Sequence, residues 1–108
     1  MNLNRRQNRR VSTNLTIDLQ IDQQITIQGR IRNISEKSAF IQMKSSVYMK
    51  VNDELDIAIK YLNGDSEQAI KGRARISRLE AGQGIAIYFI KMEEDSIERL
   101  QQLVNKPF

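Results

Sequence analysis

The sequence contains no cysteine, no histidine and no tryptophan, and only one of its 108 residues is proline. Without Cys and His it has no thiol nucleophile, no disulfide framework, no imidazole base and no zinc site of the usual kind. No apolar run approaches the roughly 18 residues that predict a transmembrane helix, and no apolar segment follows the basic N-terminus as a secretory signal requires. We therefore expect a soluble cytoplasmic protein that is not an enzyme, contains no metal ion or cofactor and does not insert into a membrane.

Positive charge is concentrated at the beginning of the chain. Lys and Arg number 17 against 13 Asp and Glu, a net charge of +4, and the whole excess comes from Arg5, Arg6, Arg9 and Arg10. A cationic segment on a nearly neutral body favours phosphate-bearing ligands, although a solubilising tail has the same composition. Because the first ten residues have no apolar face, we predict a flexible arginine-rich arm over 1–10 and a single domain over 11–108.

Beyond the arm, apolar residues alternate with polar ones, which is typical of half-buried β-strands. Short polar or glycine-containing turns separate the stretches, with the clearest turn signals at 63–65 and 82–84. The last stretch has apolar residues in both registers, so we expect it to be buried on both faces. The six predicted strands lie at 15–21, 25–31, 39–43, 55–61, 70–76 and 85–89.

The end of the chain changes to a helical period. Asp95 or Ser96 is a suitable N-cap, and we predict a helix at about 95–105. Closely spaced strands without long crossovers favour an antiparallel sheet, and closure into a barrel removes its edges. The predicted fold is therefore all-β with a terminal helix, a six-stranded antiparallel β-barrel plus a C-terminal α-helix. The predicted apolar face of the helix consists of Ile97, Leu100, Leu103 and Val104.

Two short motifs could bind an anionic ligand. In the arm, arginines recur at a spacing of four, and a guanidinium group pairs bidentately with phosphate or with the O6/N7 edge of guanine. In the polar turn at 33–38, Asn33 offers an amide donor and acceptor and Ser35 offers a hydroxyl. The alternative for this turn is structural, with both side chains bonding their own backbone, and it is favoured for an isolated Asn-x-Ser.

Together the two motifs resemble those of the PilZ domain family, which has an RxxxR arm and then a [D/N]xSxxG turn after the second strand. Arg6 and Arg10 match the first motif, Asn33 and Ser35 match the second, and 84–89 resembles the last core strand of the family. The resemblance covers essentially the whole chain. It implies a six-stranded antiparallel barrel with a C-terminal helix, and a non-enzymatic receptor for the bacterial second messenger cyclic di-GMP.

The resemblance also implies how the ligand is held. Cyclic di-GMP would be clamped between the arm and the turn, and ordering of the arm would transmit the signal to a downstream protein partner. We expect a monomer or homodimer that does not bind nucleic acid polymers, because the body of the domain is nearly neutral. The predicted ligand-binding residues are Arg5, Arg6, Arg9, Arg10, Asn33, Ser35 and Ser38.

One position departs from the family pattern, because Ser38 stands where the motif has glycine. If that site requires a positive φ, serine adds strain of about 1–2 kcal/mol, equivalent to roughly a tenfold to thirtyfold loss of affinity. The alternative function is therefore a degenerate protein-interaction adaptor with weak or no nucleotide binding. The basic stripe of Arg73, Arg75 and Arg78 is interpreted as a solvated face, and the less favoured alternative is a secondary contact to a ligand phosphate. The scattered aromatic residues predict no base-stacking surface.

Overall fold

In the computed structural model of the chain, the described residues are 11–12, 15–43 and 49–105. The predicted flexible arm at 1–10 lies outside them. Over this part of the chain there are seven strands and one helix. They are β1 (Val11–Ser12), β2 (Thr16–Gln20), β3 (Thr26–Ile34), β4 (Ser38–Gln42), β5 (Glu54–Asn63), β6 (Ser66–Glu80), β7 (Gly84–Met92) and α1 (Glu94–Val104).

Six of the strands close into a barrel in which every neighbouring pair is antiparallel. The order is β3-β2-β5-β6-β7-β4, and β4 pairs back with β3. The two residues of β1 pair with the end of β3, on the edge along which β2 also runs. The predicted six-stranded antiparallel barrel with a C-terminal helix is therefore confirmed, and β1 prolongs the line of β2 beside β3.

The alternation in the sequence becomes the inside and the outside of this barrel. Every second residue of a strand points inward, and most of the inward positions are isoleucine. Branched side chains suit a pleated surface, and full burial of one such side chain stabilises the fold by about 1.5–3 kcal/mol. The buried residues of the strands include Ile17, Leu19, Ile31, Ile34, Ile41, Leu55, Ile57, Ile59, Ile70, Ala74, Ile76, Ile85 and Ile87.

The helix completes one edge of the barrel. β6 pairs with β5 over residues 66–75 and with β7 only from Gly72 onward, because β7 ends at Met92. Before Gly72, α1 replaces β7 as the neighbour of β6. The Glu93 N–H donates to the Lys71 carbonyl at 3.1 Å, and the Lys71 N–H donates to Oγ of Ser96 at 2.8 Å. The N–H and the carbonyl of Lys71, on the part of β6 that extends beyond β7, are thus paired by the helix segment.

Because α1 packs beside β6, the predicted N-cap is wrong and Ile97 does not belong to the packed face of the helix. Glu93 is the N-cap, without a side-chain capping bond, and α1 begins at Glu94. The hydroxyl of Ser96 is buried against β6. Of the predicted apolar face, Leu100 and Val104 are buried and Leu103 is partly buried against the core, whereas Ile97 is 46% exposed. Ser96 takes its place on the packed face, at a spacing of four from Leu100.

The expectation that the last strand is buried on both faces is also wrong. Ile85 and Ile87 of β7 are buried, whereas Tyr88 is 56% exposed and Ile90 is 45% exposed. A closed barrel has only one inner face, so the alternate residues of β7 face outward whatever their polarity.

Gly84 is required where β7 starts beside β4. Its φ is 154°, and a Cβ at this position would overlap the carbonyl oxygen of Ile41. Gly82 also has a positive φ, 74°, but a Cβ there meets no heavy atom within 4 Å. We predict that Gly84→Ala lowers the free energy of unfolding by about 2–5 kcal/mol, since steric overlap adds to backbone strain.

The matched control is Gly82→Ala, for which backbone strain alone predicts a loss of about 1–2 kcal/mol. Urea unfolding followed by circular dichroism measures both values. Equal losses in the two variants would contradict the close approach of Gly84 to β4.

Candidate functional site

The turn between β3 and β4 is held together by Ser35. The Ser35 N–H donates to the Ser38 carbonyl at 2.8 Å. Its Oγ accepts hydrogen bonds from the N–H of Lys37 at 3.2 Å and of Ser38 at 3.1 Å. Ser35 is only 1% exposed. The structural alternative for the turn therefore holds for Ser35, whose hydroxyl shapes the backbone on which a ligand would rest.

Asn33 occupies a different position, two residues before the turn within β3. It is half-buried, and its register partners are Ser12 of β1 and Phe40 of β4. The pairing of β3 with β4 shifts register between Ile31 and Asn33, as in a β-bulge, which re-aims a side chain locally. The side-chain amide of Asn33 forms no hydrogen bond with any of the described residues. Its donor and acceptor are therefore not consumed by the turn, unlike the hydroxyl of Ser35.

Ser38 does not adopt the strained backbone that its glycine counterpart suggested. Asn52 is the one described non-glycine residue with a positive φ, and Ser38 is the first residue of β4. Its Oγ lies 3.3 Å from Oγ of Ser35, and either hydroxyl can donate. The condition for a strain penalty at Ser38 is thus not met, and the serine adds a contact within the turn.

The N-terminal chain enters the barrel beside this turn. In the register of β1 with β3, Val11 is opposite Ile34 and Ser12 is opposite Asn33. Arg10 is bonded to Val11, and Arg6 precedes it by four residues. The four arginines of the predicted site, Arg5, Arg6, Arg9 and Arg10, lie outside the described residues.

A shallow depression of about 100 Å³ lies on the outer face of the barrel next to the turn. The strand register explains its composition. Ser38 of β4 is opposite Tyr88 of β7, and Phe40 is opposite Ala86. Sequence reasoning missed this surface because β4 is far in the chain from the β6–β7 hairpin beside which it lies in the barrel. The depression is lined by Ser38, Phe40, Ser77, Arg78, Ala86 and Tyr88, together with Ala39 and Ile87.

The basic stripe on β6 is largely neutralised by carboxylates of β5. Arg73 pairs with Asp56 at 2.8 Å and Arg75 pairs with Glu54 at 3.1 Å. The hydrogen bond from Arg75 holds the pKa of the exposed Glu54 carboxyl below its ordinary value. The interpretation of Arg73 and Arg75 as a solvated, charge-paired face therefore agrees with the structure.

Arg78, the third arginine of the stripe, is placed differently. A register shift between Ile76 and Arg78 sets Arg78 opposite Ala86 of β7. Its Nε lies 2.6 Å from a carboxylate oxygen of Glu80. Within the part of the chain that is described, its two Nη groups have no partner. Arg78 therefore places a guanidinium group at the edge of the depression.

α1, the helix of the described part of the chain, is neither long enough nor apolar enough to cross a membrane. No group of three or more acidic, histidine or cysteine side chains within residues 15–43 and 49–105 could hold a metal ion.

The described part of the chain is a closed antiparallel barrel with a C-terminal helix, a polar turn after β3 and a small external depression. The PilZ domain family matches residues 4–106, which is nearly the whole chain. The chain therefore belongs to the PilZ domain family, a family of cyclic di-GMP receptor domains. No curated protein gives a significant match.

Three solved structures share the fold at low sequence identity. The inhibitor of motility from Bacillus subtilis (MotI/DgrA) is 16% identical with a TM-score of 0.78, and the match covers 94% of this chain and 50% of that one. The PilZ domain of CeSA from a cellulose-synthesizing bacterium is 22% identical, with a TM-score of 0.61 and coverages of 88% and 93%. The PilZ domain of Escherichia coli YcgR, determined with cyclic di-GMP, is 12% identical, with a TM-score of 0.61 and coverages of 94% and 89%. This chain thus spans about half the length of the Bacillus protein.

The bonds made by Ser35 predict a structural effect of its removal. Ser35→Ala leaves the N–H groups of Lys37 and Ser38 without the acceptor that now serves them. We expect a loss of about 1–3 kcal/mol in the free energy of unfolding, because the buried hydroxyl of Ser35 is the acceptor for two part-buried N–H groups. Thermal and urea unfolding measure this loss. The control is the exposed Ser66→Ala, and an equally small effect in both variants would show that Ser35 does not hold the turn.

Proposed function

We propose that this chain is a non-enzymatic receptor module for cyclic di-GMP. The ligand lies between the N-terminal arginines and the turn that follows β3. The observation that supports this most is the pairing of Val11 with Ile34, because it brings the chain that carries the arginines to the same end of β3 as the turn. The proposed ligand-binding residues are Arg5, Arg6, Arg9, Arg10, Asn33, Ser35 and Ser38.

The chemistry of the ligand suits these residues. Cyclic di-GMP has two phosphates and two guanines, and guanidinium groups pair with both phosphate oxygens and the O6/N7 edge of guanine. Arg10 adjoins Val11, and four further residues reach at most about 14 Å, so Arg6 can contact a ligand lying across the turn. Asn33 supplies a polar amide that the turn does not use, while Ser35 acts mainly by fixing the backbone.

The output that fits this arrangement is ordering of the arm. Residues 1–10 carry the whole excess of positive charge, so an anionic ligand is attracted to them rather than to the balanced body. A segment that becomes ordered on binding creates a new surface. We propose that this surface is read by a downstream protein partner in the bacterial cytoplasm, with the domain acting as a monomer or homodimer.

The site predicts a strong effect of the RxxxR arginines. We expect Arg6→Ala and Arg10→Ala each to lower the affinity for cyclic di-GMP about tenfold to more than a hundredfold, because each removes charged hydrogen bonds, and the double variant to abolish binding. Calorimetric titration at near-physiological salt measures this, with GTP as the control ligand. Arg30→Ala is the matched control, since Arg30 is exposed on β3 and its replacement removes the same charge.

The outcomes separate the competing functions. Unchanged affinity in both arm variants would refute the assigned role of the arm. Binding of many nucleotides with a steep dependence on salt would instead indicate a phosphate clamp for nucleic acid. No binding of cyclic di-GMP by the wild type would favour the adaptor.

Ser38 gives a direct test of the adaptor alternative. Because its backbone is not in the positive-φ region, we predict that Ser38→Gly changes the affinity for cyclic di-GMP by less than about threefold. The variant should be less stable by about 0.5–1 kcal/mol, since glycine weakens a strand. Calorimetry and thermal unfolding measure the two effects. A gain in affinity of tenfold or more would mean that the serine side chain itself obstructs the ligand and that the wild type is a weakened receptor.

A further inference from the structure

We propose that the depression beside Ser38 is a base-stacking subsite, in which the Tyr88 ring packs against one guanine of cyclic di-GMP and Arg78 contacts the edge of that base. This inference rests on the proposed function and extends it to residues outside both family motifs. Tyr88 and Arg78 belong to β7 and β6, whereas the motif residues belong to the arm and to the turn after β3.

The first argument is the continuity of the depression with the turn. Tyr88 is the register partner of Ser38, and partners in an antiparallel pair have side chains on the same face. The next residue, Phe89, donates its N–H to the carbonyl of Lys37 in the turn at 2.8 Å. β7 is therefore fixed to the turn by a backbone hydrogen bond, and a ligand that rests on the turn lies next to Tyr88.

The second argument is the exposure of an aromatic ring at this place. Tyr88 is 56% exposed, whereas Phe40, Tyr61 and Phe89 are each half-buried. Aromatic faces stack on nucleobases with little dependence on sequence. Ala86 forms the low part of the depression, with Tyr88 beside it on β7 and Phe40 opposite it on β4. A small residue flanked by two rings leaves room for a flat base.

The third argument is the position of Arg78. The register shift in β6 sets it opposite Ala86, and the hydroxyl of Ser77 donates to the carbonyl of Ala86 at 3.2 Å, which ties the shifted segment to β7. Glu80 pairs with Nε of Arg78, so the two Nη groups of the guanidinium can donate hydrogen bonds to a ligand. Guanine presents two acceptors, O6 and N7, on one edge, whereas adenine presents one acceptor and one donor.

These observations favour a guanine over other occupants. A volume of about 100 Å³ accommodates part of one flat ring and not a folded peptide segment. The guanidinium group of Arg78 matches the acceptor edge of guanine, and the second guanine and the phosphates of the same ligand are left to the arm. The depression therefore adds an aromatic face and one further guanidinium group to the contacts that the arm is proposed to make.

The ring of Tyr88 is tested by paired substitutions and calorimetry with cyclic di-GMP. Tyr88→Ala is expected to weaken binding by roughly five- to a hundredfold, the usual effect of removing a stacked ring. Tyr88→Phe keeps the ring and should bind within about threefold of the wild type. Ile90→Ala is the matched control, because Ile90 is the next exposed residue along β7 and does not line the depression. An unchanged thermal midpoint in Tyr88→Ala shows that the barrel is intact.

Tyrosine emission gives a readout that a merely structural role would not change. The chain has three tyrosines and no tryptophan, so Tyr88 becomes the sole tyrosine in a Tyr48→Phe, Tyr61→Phe background. Stacking predicts quenching of its emission that saturates at the calorimetric stoichiometry. Arg78→Ala is expected to reduce the preference for cyclic di-GMP over cyclic di-AMP about tenfold.

The outcomes distinguish this subsite from the proposed function. If the arm variants lose binding while Tyr88→Ala binds like the wild type, the receptor function stands and the stacking subsite is refuted. Equal losses in Tyr88→Ala and Tyr88→Phe would also refute stacking, because only the hydroxyl is missing from the second. If the wild type binds no cyclic di-GMP, both proposals are wrong.

Discussion

The pairing of β4 with both β3 and β7 is the constraint on which the rest of the structure depends. It closes the sheet, so that each of the six barrel strands has a neighbouring strand on both sides. The inward isoleucines are buried only because closure gives the sheet a single interior. β4 has just five residues, and two local features hold it in place. The Ser35 turn fixes its start, and the contact of Gly84 with Ile41 allows β7 to approach its far end.

The proposed site has two different parts, the turn after β3, which is rigid, and the N-terminal arm that precedes β1. Ser35 is buried and bonded, so the turn is formed before any ligand arrives. β1, in contrast, is a two-residue addition that pairs only with β3, and the arginines precede it. A preformed surface lowers the entropic cost of binding. In the proposed mechanism, ordering of the arm would add to that cost and would make binding visible to a partner.

The sequence predicted the strands well because each has one face in the barrel and therefore alternates. It predicted the helix to within a residue of its observed bounds because helical periodicity is also local. It failed at Ser96 and Ile97, whose environments depend on where β7 leaves β6. That divergence comes from strand register across the barrel. No local pattern reveals that a serine suited to capping is used by a neighbouring strand, or that the helix rotates to present it.

The same reasoning explains why the depression could not be found from the sequence. Phe40 lies far from Arg78 and Tyr88 in the chain, and none of the three belongs to either predicted ligand-binding motif. They meet because β7 lies between β4 and β6, and because a register shift in β6 moves Arg78 by one position. Without that shift, Ser77 would lie opposite Ala86, and the side chain of Arg78 would lie on the other face of β6. All three arginines of the stripe are paired with carboxylates, but of the three only Arg78 lines the depression. The bulge thus brings one arginine of the stripe to the proposed subsite, a placement that composition and spacing alone do not predict.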